Sequence, residues 1–221
     1  MNYRTYIVFD FETGDKDVSK FENDMGCEPV QIAALAINPR NLTMGAHFES
    51  LMRPLQPELL QDEALAINHK TREQLAAAPH PEVVWGDFAT FIQRFNRKPG
   101  DNFHAPVACG YNIRGFDMRI VEKLCQKYGP VDARSNKQGL FSNFMCVDLM
   151  DDIFRFTENT TKLPNMRLDT VRDWMGMSKE NAHDALQDVR DTAAIMIRFM
   201  KFYRNLFLKT NFEGCFASAS H

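Results

Sequence analysis

The stretch "TYIVFDFET" (residues 5–13) decides how the rest of the chain is read. Residues 5–11 are nearly continuous in aromatic and β-branched side chains, the pattern of a strand buried on both faces and therefore central in its sheet. On a strand, residues two apart share a face. Asp10 and Glu12 thus leave an apolar strand side by side. Two carboxylates at that separation repel, and both stay ionised when a cation lies between them. Oxygen-only ligands of this kind suit Mg²⁺ or Mn²⁺. The plainer alternative is that the strand ends here and its acids reach solvent.

Working outward, "PVQIAALAI" (29–37) and "MGAHFESLM" (44–52), joined by "NPRNLT", predict an antiparallel strand pair. Thr71 with Gln74 is a capping-box pattern opening a short helix. "PEVVWGDFATFIQRF" (81–95) has apolar residues at 84, 88, 91, 92 and 95, a helical period. "APVACGY" (105–111) returns to strand, and "IRGFDMRIVEKLCQKYG" (113–129) reads as a helix ending at Gly129-Pro130. "FMCVDLM" (144–150) is a last strand, "MRLDTVRDWMGM" (166–177) a helix, and a long final helix runs from about 184 to 205. Residues 130–143 are polar and read as a surface loop or small insertion. Strands first, then strands alternating with helices, predict a mixed sheet with helices packed on it. With no repeat, low-complexity segment or long linker, one domain is expected over 1–221, with a core of about 5–205 and a tail of 206–221.

Composition narrows the classes. Hydrophobic residues are 44% and charged residues 25%, ordinary for a soluble globular chain. A net charge of −3 argues against a uniformly basic duplex-binding surface and leaves room for a local basic groove. Eighteen phenylalanines point to a Phe-rich core, with a few available for stacking on bases. The five cysteines occur singly and read as buried thiols of a reducing compartment, not a disulfide framework or zinc site. No signal-peptide pattern opens the chain and no apolar run approaches the ~20 residues of a membrane span, so a cytoplasmic location is expected.

Two more clusters carry chemistry. In "GYNIRGFDMRIVEKL" (110–124) a turn-prone Gly-Tyr-Asn follows a strand and a helix begins. Asp117 falls early in that helix, where a carboxylate suits the dipole. Asn112 could cap the helix and Phe116 could be core. In "AHDALQDVRDTAA" (182–194), Asp184 and Gln187 form a capping-box pattern, so His183 lies on the incoming loop and Asp188 about one turn inside the helix. A helix gives a ligand a rigid seat, and a loop imidazole can take a proton from water near neutral pH. The plainer alternative for His183 is a ring packed at the helix start. Asp191, one turn beyond Asp188, reads as a supporting residue.

Taken in order, Asp10, Glu12, Asp117, His183 and Asp188 resemble the DEDDh branch of the DEDD, or DnaQ-like, exonucleases. Relatives in that family include polymerase proofreading exonucleases, ribonuclease T and oligoribonuclease. "FDFET" is similar to the first motif, D-x-E followed by Thr; "GYNIRGFD" to the second, N-x-x-x-F-D; and "HDALQD" to the third, H-x-x-x-x-D, which sets this branch apart from the one using tyrosine. "INHKTREQLAAAP" (67–79) resembles the segment usually reading H-G-I-T but departs at Asn68-His69-Lys70, where the usual glycine is missing. "RLDTVRDWMGM" resembles the stretch before the third motif, and the likeness covers about residues 5 to 200.

The resemblance implies an α/β, ribonuclease H-like fold: a five-stranded mixed sheet with its first three strands antiparallel, flanked by helices. It implies 3′→5′ hydrolysis of terminal phosphodiesters of single-stranded nucleic acid to nucleoside monophosphates, DNA slightly favoured. Two divalent ions, Mg²⁺ or Mn²⁺, would be held by Asp10, Glu12, Asp117 and Asp188, with His183 as general base. Thr13, Phe11, Asn112 and Phe116 are the candidates for seating the terminal nucleotide, although Phe11 points away from Asp10 and Glu12 on a regular strand and is equally a core residue. Arg114 and Arg119 are candidate phosphate contacts, with a solvated helix face as the alternative. The expected partners are single-stranded 3′ ends and a polymerase or other replication or repair protein, supplied as a separate subunit; the chain would act as a monomer or homodimer, away from membranes. The competing readings are a 3′→5′ exoribonuclease and a catalytically inactive nucleic-acid-binding module of the same fold.

Overall fold

The computed structural model describes residues 3–23, 26–159, 161–177 and 184–210. In chain order its elements are β1 (Tyr6–Thr13), α1 (Val18–Glu22), β2 (Pro29–Ile37), β3 (Met44–Leu51), a 3-10 turn (Pro57–Leu59), α2 (Asp62–Ile67), α3 (Arg72–Ala76), α4 (Pro81–Gln93), β4 (Val107–Gly110), α5 (Asp117–Tyr128), β5 (Val131–Asp132), β6 (Lys137–Gln138), β7 (Cys146–Asp148), α6 (Leu149–Thr157), α7 (Leu168–Trp174) and α8 (Ala185–Lys209). The apolar strand β1 is central, as its composition requires. The five-stranded sheet runs β3-β2-β1-β4-β7. β1, β2 and β3 pair antiparallel, whereas β4 lies parallel to β1 and β7 parallel to β4.

The period of two along β1 divides the core. Ile7, Phe9 and Phe11 face one layer with Ile32 and Ala34 of β2, Trp85, Phe88 and Ile92 of α4, and Ile120 and Leu124 of α5. Val8 faces the other layer with Ala33 and Leu35 of β2, Cys109 of β4, Ile153 of α6, Val171 of α7, and Val189 and Ile195 of α8. Both faces are therefore covered by helices, and each buried Phe or Ile side chain contributes about 1.5–3 kcal/mol of transfer free energy. Asp10 and Glu12 follow Val8 on the α7–α8 side.

Several boundaries differ from expectation. Residues 130–143 are more than a surface loop: they form the β5–β6 hairpin and deliver Leu140 and Phe141 to the core, where Phe141 stacks on Phe9 with ring centroids 5.0 Å apart. The polar majority of the segment hid its two apolar anchors. The expected strand 144–150 shortens to Cys146–Asp148 and α6 starts at once, because Asp148 accepts the Met150 N–H at 3.2 Å and caps it. The Thr71–Gln74 capping box is present in full. Asp184 caps α8, accepting the Gln187 N–H, but α8 continues to Lys209, beyond the expected end near 205. Among the described residues Cys27, Cys109, Cys125 and Cys146 are free thiols, and no helix is long and apolar enough to cross a membrane.

Candidate active site

The acids come from three elements at one end of the sheet. Asp10 and Glu12 lie near the C-terminal end of β1, where the pairing with β2 shifts register between Glu12 and Thr13. Such an irregularity re-aims side chains at a strand end. Asp117 is the first residue of α5, only 2% exposed, and its Oδ1 accepts the Phe11 N–H at 3.0 Å. That bond ties the start of α5 to β1. The chain reaches it through a tight turn: Asn112 has φ of 53°, and its carbonyl accepts from the N–H groups of Gly115 and Phe116 at 3.1 and 3.2 Å. Asn112 thus shapes the turn instead of capping α5, whose N-cap position is Phe116. Gly110 precedes the turn, and a Cβ there would meet the Phe9 carbonyl oxygen at 3.1 Å and the Ile113 side chain at 3.0 Å. A side chain there would need β1 or Ile113 to give by a few tenths of an ångström. Asp188 occupies the first turn of α8.

Asp10, Glu12, Asp117 and Asp188 line one groove of about 580 Å³, together with Phe11, Thr13, Asn112 and Phe116. Burial, reinforced by the charges of Asp117, Glu12 and Asp188, pushes the Asp10 carboxyl well above its ordinary range, and Arg172 opposes this. Burial and then Asp188 raise Glu12 to about 7, with Lys70 pulling it down. Burial is also the first cause that lifts Asp117 to about 8, and Glu12 adds to it. Asp10, Glu12 and Asp117 are therefore held in an environment that disfavours their charge.

Divalent cations would relieve that repulsion, and an all-oxygen donor set is the one hard cations take. The donor chemistry fits. Among the described residues, however, no three His, Cys, Asp or Glu side chains close up as a compact metal cage. One of the four is instead engaged by a cation of the protein, since Arg172 Nη2 donates to Asp188 Oδ1 at 2.6 Å.

The remaining expected contacts divide. Thr13, Asn112 and Phe116 are on the groove, and the Thr13 hydroxyl donates to the Asp15 carbonyl at 2.6 Å. The Phe11 side chain is a core group, meeting Phe9 edge to face, because its parity on β1 turns it away from the acids. Arg114 is committed elsewhere: it pairs with Asp151 and donates from Nη2 to the Cys146 carbonyl at 2.7 Å. Arg119 grips Glu22 of α1, with Nε to Oε1 at 2.8 Å. Neither arginine lines the groove. His183 lies outside the described residues.

Sequence reasoning passed over Lys16, Arg167 and Arg172, and met Asn68, His69 and Lys70 only as a departure from H-G-I-T. Lys16 and Arg167 are exposed cations lining the groove. Asn68, buried, donates from Nδ2 to the Thr13 carbonyl at 2.9 Å, and Lys70 reaches Asp184 at 3.9 Å. His69, between them, takes φ of 54°, the left-handed backbone that explains why this position favours glycine. The H-G-I-T likeness was the available signal for all three. Arg172 had none, since an arginine in a short polar helix ordinarily faces water.

A mixed five-stranded sheet flanked by helices, with carboxylates gathered at the ends of its central strand and of two helices, is the ribonuclease H-like fold. A family model described as exonuclease, of the RNase T type, matches residues 7–196, and the chain belongs to that DEDDh exonuclease family. Solved structures agree on the fold. Exonuclease I of E. coli in complex with a dT13 oligonucleotide is 21% identical, with a TM-score of 0.66 over 92% of this chain and 43% of that one. Exonuclease I from Methylocaldum szegediense is 21% identical, with a TM-score of 0.64 over 92% and 42%. Cell-death related nuclease 4 is 16% identical, with a TM-score of 0.65 over 91% and 65%. This chain thus spans less than half the length of the exonuclease I chains. No curated protein matches the sequence.

Proposed function

We propose that the protein is a 3′→5′ exonuclease that shortens single-stranded nucleic acid, DNA in preference to RNA, using two divalent ions, Mg²⁺ or Mn²⁺. The observation that carries this reading is the meeting of Asp10, Glu12, Asp117 and Asp188, from three distant stretches, in one groove where burial and neighbouring acids raise the proton affinity of the first three. Membership of an exonuclease family supports it, as does the oligonucleotide bound to the structurally similar E. coli exonuclease I.

Asp10, Glu12, Asp117 and Asp188 would hold the ions. Bound there, divalent metal supplies Lewis acidity toward the phosphate and makes water a stronger nucleophile at neutral pH. The residues of the chain do the rest. Thr13, Asn112 and Phe116 seat the terminal nucleotide, and the exposed Lys16 and Arg167 meet backbone phosphates at the rim. His183, next in sequence to the α8 cap Asp184, accepts the proton of the attacking water as its oxygen bonds to phosphorus. The bond from phosphorus to the 3′ oxygen breaks, and a nucleoside 5′-monophosphate leaves. His183→Ala is expected to slow this step by about 10²–10⁴-fold while substrate binding is retained.

The test is incubation of 5′-labelled single-stranded DNA, the matched duplex and an RNA of the same sequence, each with Mg²⁺ or with a chelator. A ladder shortening from the 3′ end, fastest on single-stranded DNA and absent in chelator, is the expected result. Undiminished activity in chelator removes the metal mechanism, internal cuts remove the exonuclease reading, and faster loss of the RNA reverses the substrate preference. Metal-dependent strand binding with no shortening would make the protein a binding module of this fold.

A further inference from the structure

Arg172 is a charged side chain at 1% exposure, buried between α7 and α8. Its guanidinium is spread over three carboxylates. Nε donates to Asp191 Oδ2 at 2.8 Å, Nη1 to Asp169 Oδ1 at 2.8 Å, and Nη2 to Asp188 Oδ1 at 2.6 Å. Asp191 is held from its other side by Gln187, whose Nε2 donates to Oδ1 at 2.8 Å. Two arms of this network end on acids that line the groove, Asp188 and Asp169, and the third, on Asp191, anchors the arginine from behind.

We infer that Arg172 is the positioning residue of Asp188, fixing the plane and direction in which that carboxylate meets a divalent ion; the inference rests on the reading of the groove given above. The guanidinium is a rigid planar fork, so three charge-assisted bonds made at once leave it no freedom to turn. A carboxylate bonded to such a group is oriented before a cation arrives. Two effects of Arg172 on an ion compete. Its positive charge repels the ion, and its grip pre-orders a ligand. Asp191 and Asp169 decide between them: with these two acids attached, the arginine and its anchors carry a formal charge of −1, so net repulsion at the groove is cancelled and ordering remains. Loss of such an outer partner typically weakens metal binding about 10–100-fold.

The test is calorimetric titration of Mn²⁺ alone into the full chain and into Arg172→Gln and Arg172→Lys, well below the melting temperature of each. The wild type is expected to bind Mn²⁺, Arg172→Gln about 10–100-fold more weakly, and Arg172→Lys in between, because an ammonium keeps the charge but lacks the fork. In single-strand hydrolysis the loss should fall on kcat, with KM for the strand little changed. A purely structural role would lower the melting temperature and leave the Mn²⁺ affinity of the folded variants unaltered. Should both Arg172 variants fail to fold, Asp191→Asn, which removes one anchor, is expected to weaken Mn²⁺ binding severalfold, and unchanged affinity in it overturns the inference. Equal or tighter Mn²⁺ binding by the Arg172 variants overturns it too. A wild type that binds no Mn²⁺ overturns the proposed function as well.

Discussion

Asp10, Glu12 and Asp117 are placed where charge is disfavoured: each is pushed upward first by burial and then by neighbouring acids. Such an arrangement trades folding stability for chemistry. Asp10→Asn should therefore raise the melting temperature of chelator-treated protein at pH 8 while lowering hydrolysis about 100-fold or more. Thermal melts and rate measurements on the one variant check both halves, and a lowered melting temperature would contradict the repulsion described. His69 stores strain of a different kind. An L-residue in the left-handed region costs roughly 1–2 kcal/mol, a cost that glycine escapes while losing some of the gain to unfolded-chain entropy. His69→Gly should accordingly stabilise the protein by about 0.5–1 kcal/mol in denaturant unfolding. A destabilised variant would mean that the imidazole makes a compensating interaction.

At the level of elements, the site is assembled by bonds that join neighbours in space. The Phe11 N–H to Asp117 bond docks α5 on β1, and the Asp184 cap starts α8 one turn before Asp188. The β5–β6 segment supports the same strand from beneath, since Phe141 stacks on Phe9, one residue before Asp10. Phe141 is fully buried, so Phe141→Ala should cost about 3–5 kcal/mol through lost burial and a residual cavity. Chemical denaturation is the measurement; a cost under about 1 kcal/mol would mean that the hairpin is not part of the core. The capping signals of α3 and α8 were readable because a cap is a local bond between residues three apart. Helix α6 was not, because Val147 and Leu149 continue the alternation of a strand and Asp148 announces its cap only once β7 is docked on β4.

Across the whole molecule, the raised acids set a pH dependence. The folded-state values of Glu12 and Asp117, about 7 and about 8, lie above those of ordinary carboxylates in an unfolded chain, near 4, and Asp10 moves in the same direction. The folded protein therefore binds more protons than the unfolded one across this window. Their contribution to stability is complete below about pH 4 and is lost as pH rises through about 7–8. Acids held low by their partners, among them Asp15 beside Lys20 and Glu22 beside Arg119, act in the opposite sense at lower pH. In chelator, the melting temperature should fall by several degrees between pH 5 and pH 8, at about 2–4 °C per kcal/mol for a chain of this size. Mn²⁺ should restore it at pH 8. A melting temperature that rises steadily to pH 8 in chelator would contradict the charge repulsion in the groove.

Short-range order was legible along the chain: the central apolar strand with its two acids on one face, the helical periods, two helix caps and the early-helix place of Asp117. Each depends on contacts a few residues apart, which periodicity records. The fates of the arginines were not legible. Arg114, Arg119 and Arg172 look alike as charged helix or turn residues, yet the first two are bound to Asp151 and Glu22 and the third is buried among three carboxylates. Phe141 likewise found its layer only when the sheet and its helices closed around it, whereas the core side of Phe11 followed from strand parity. A long polar side chain is stabilised by whatever partner the folded chain brings within about 3 Å, and a partner up to 97 residues away leaves no local trace in composition or spacing.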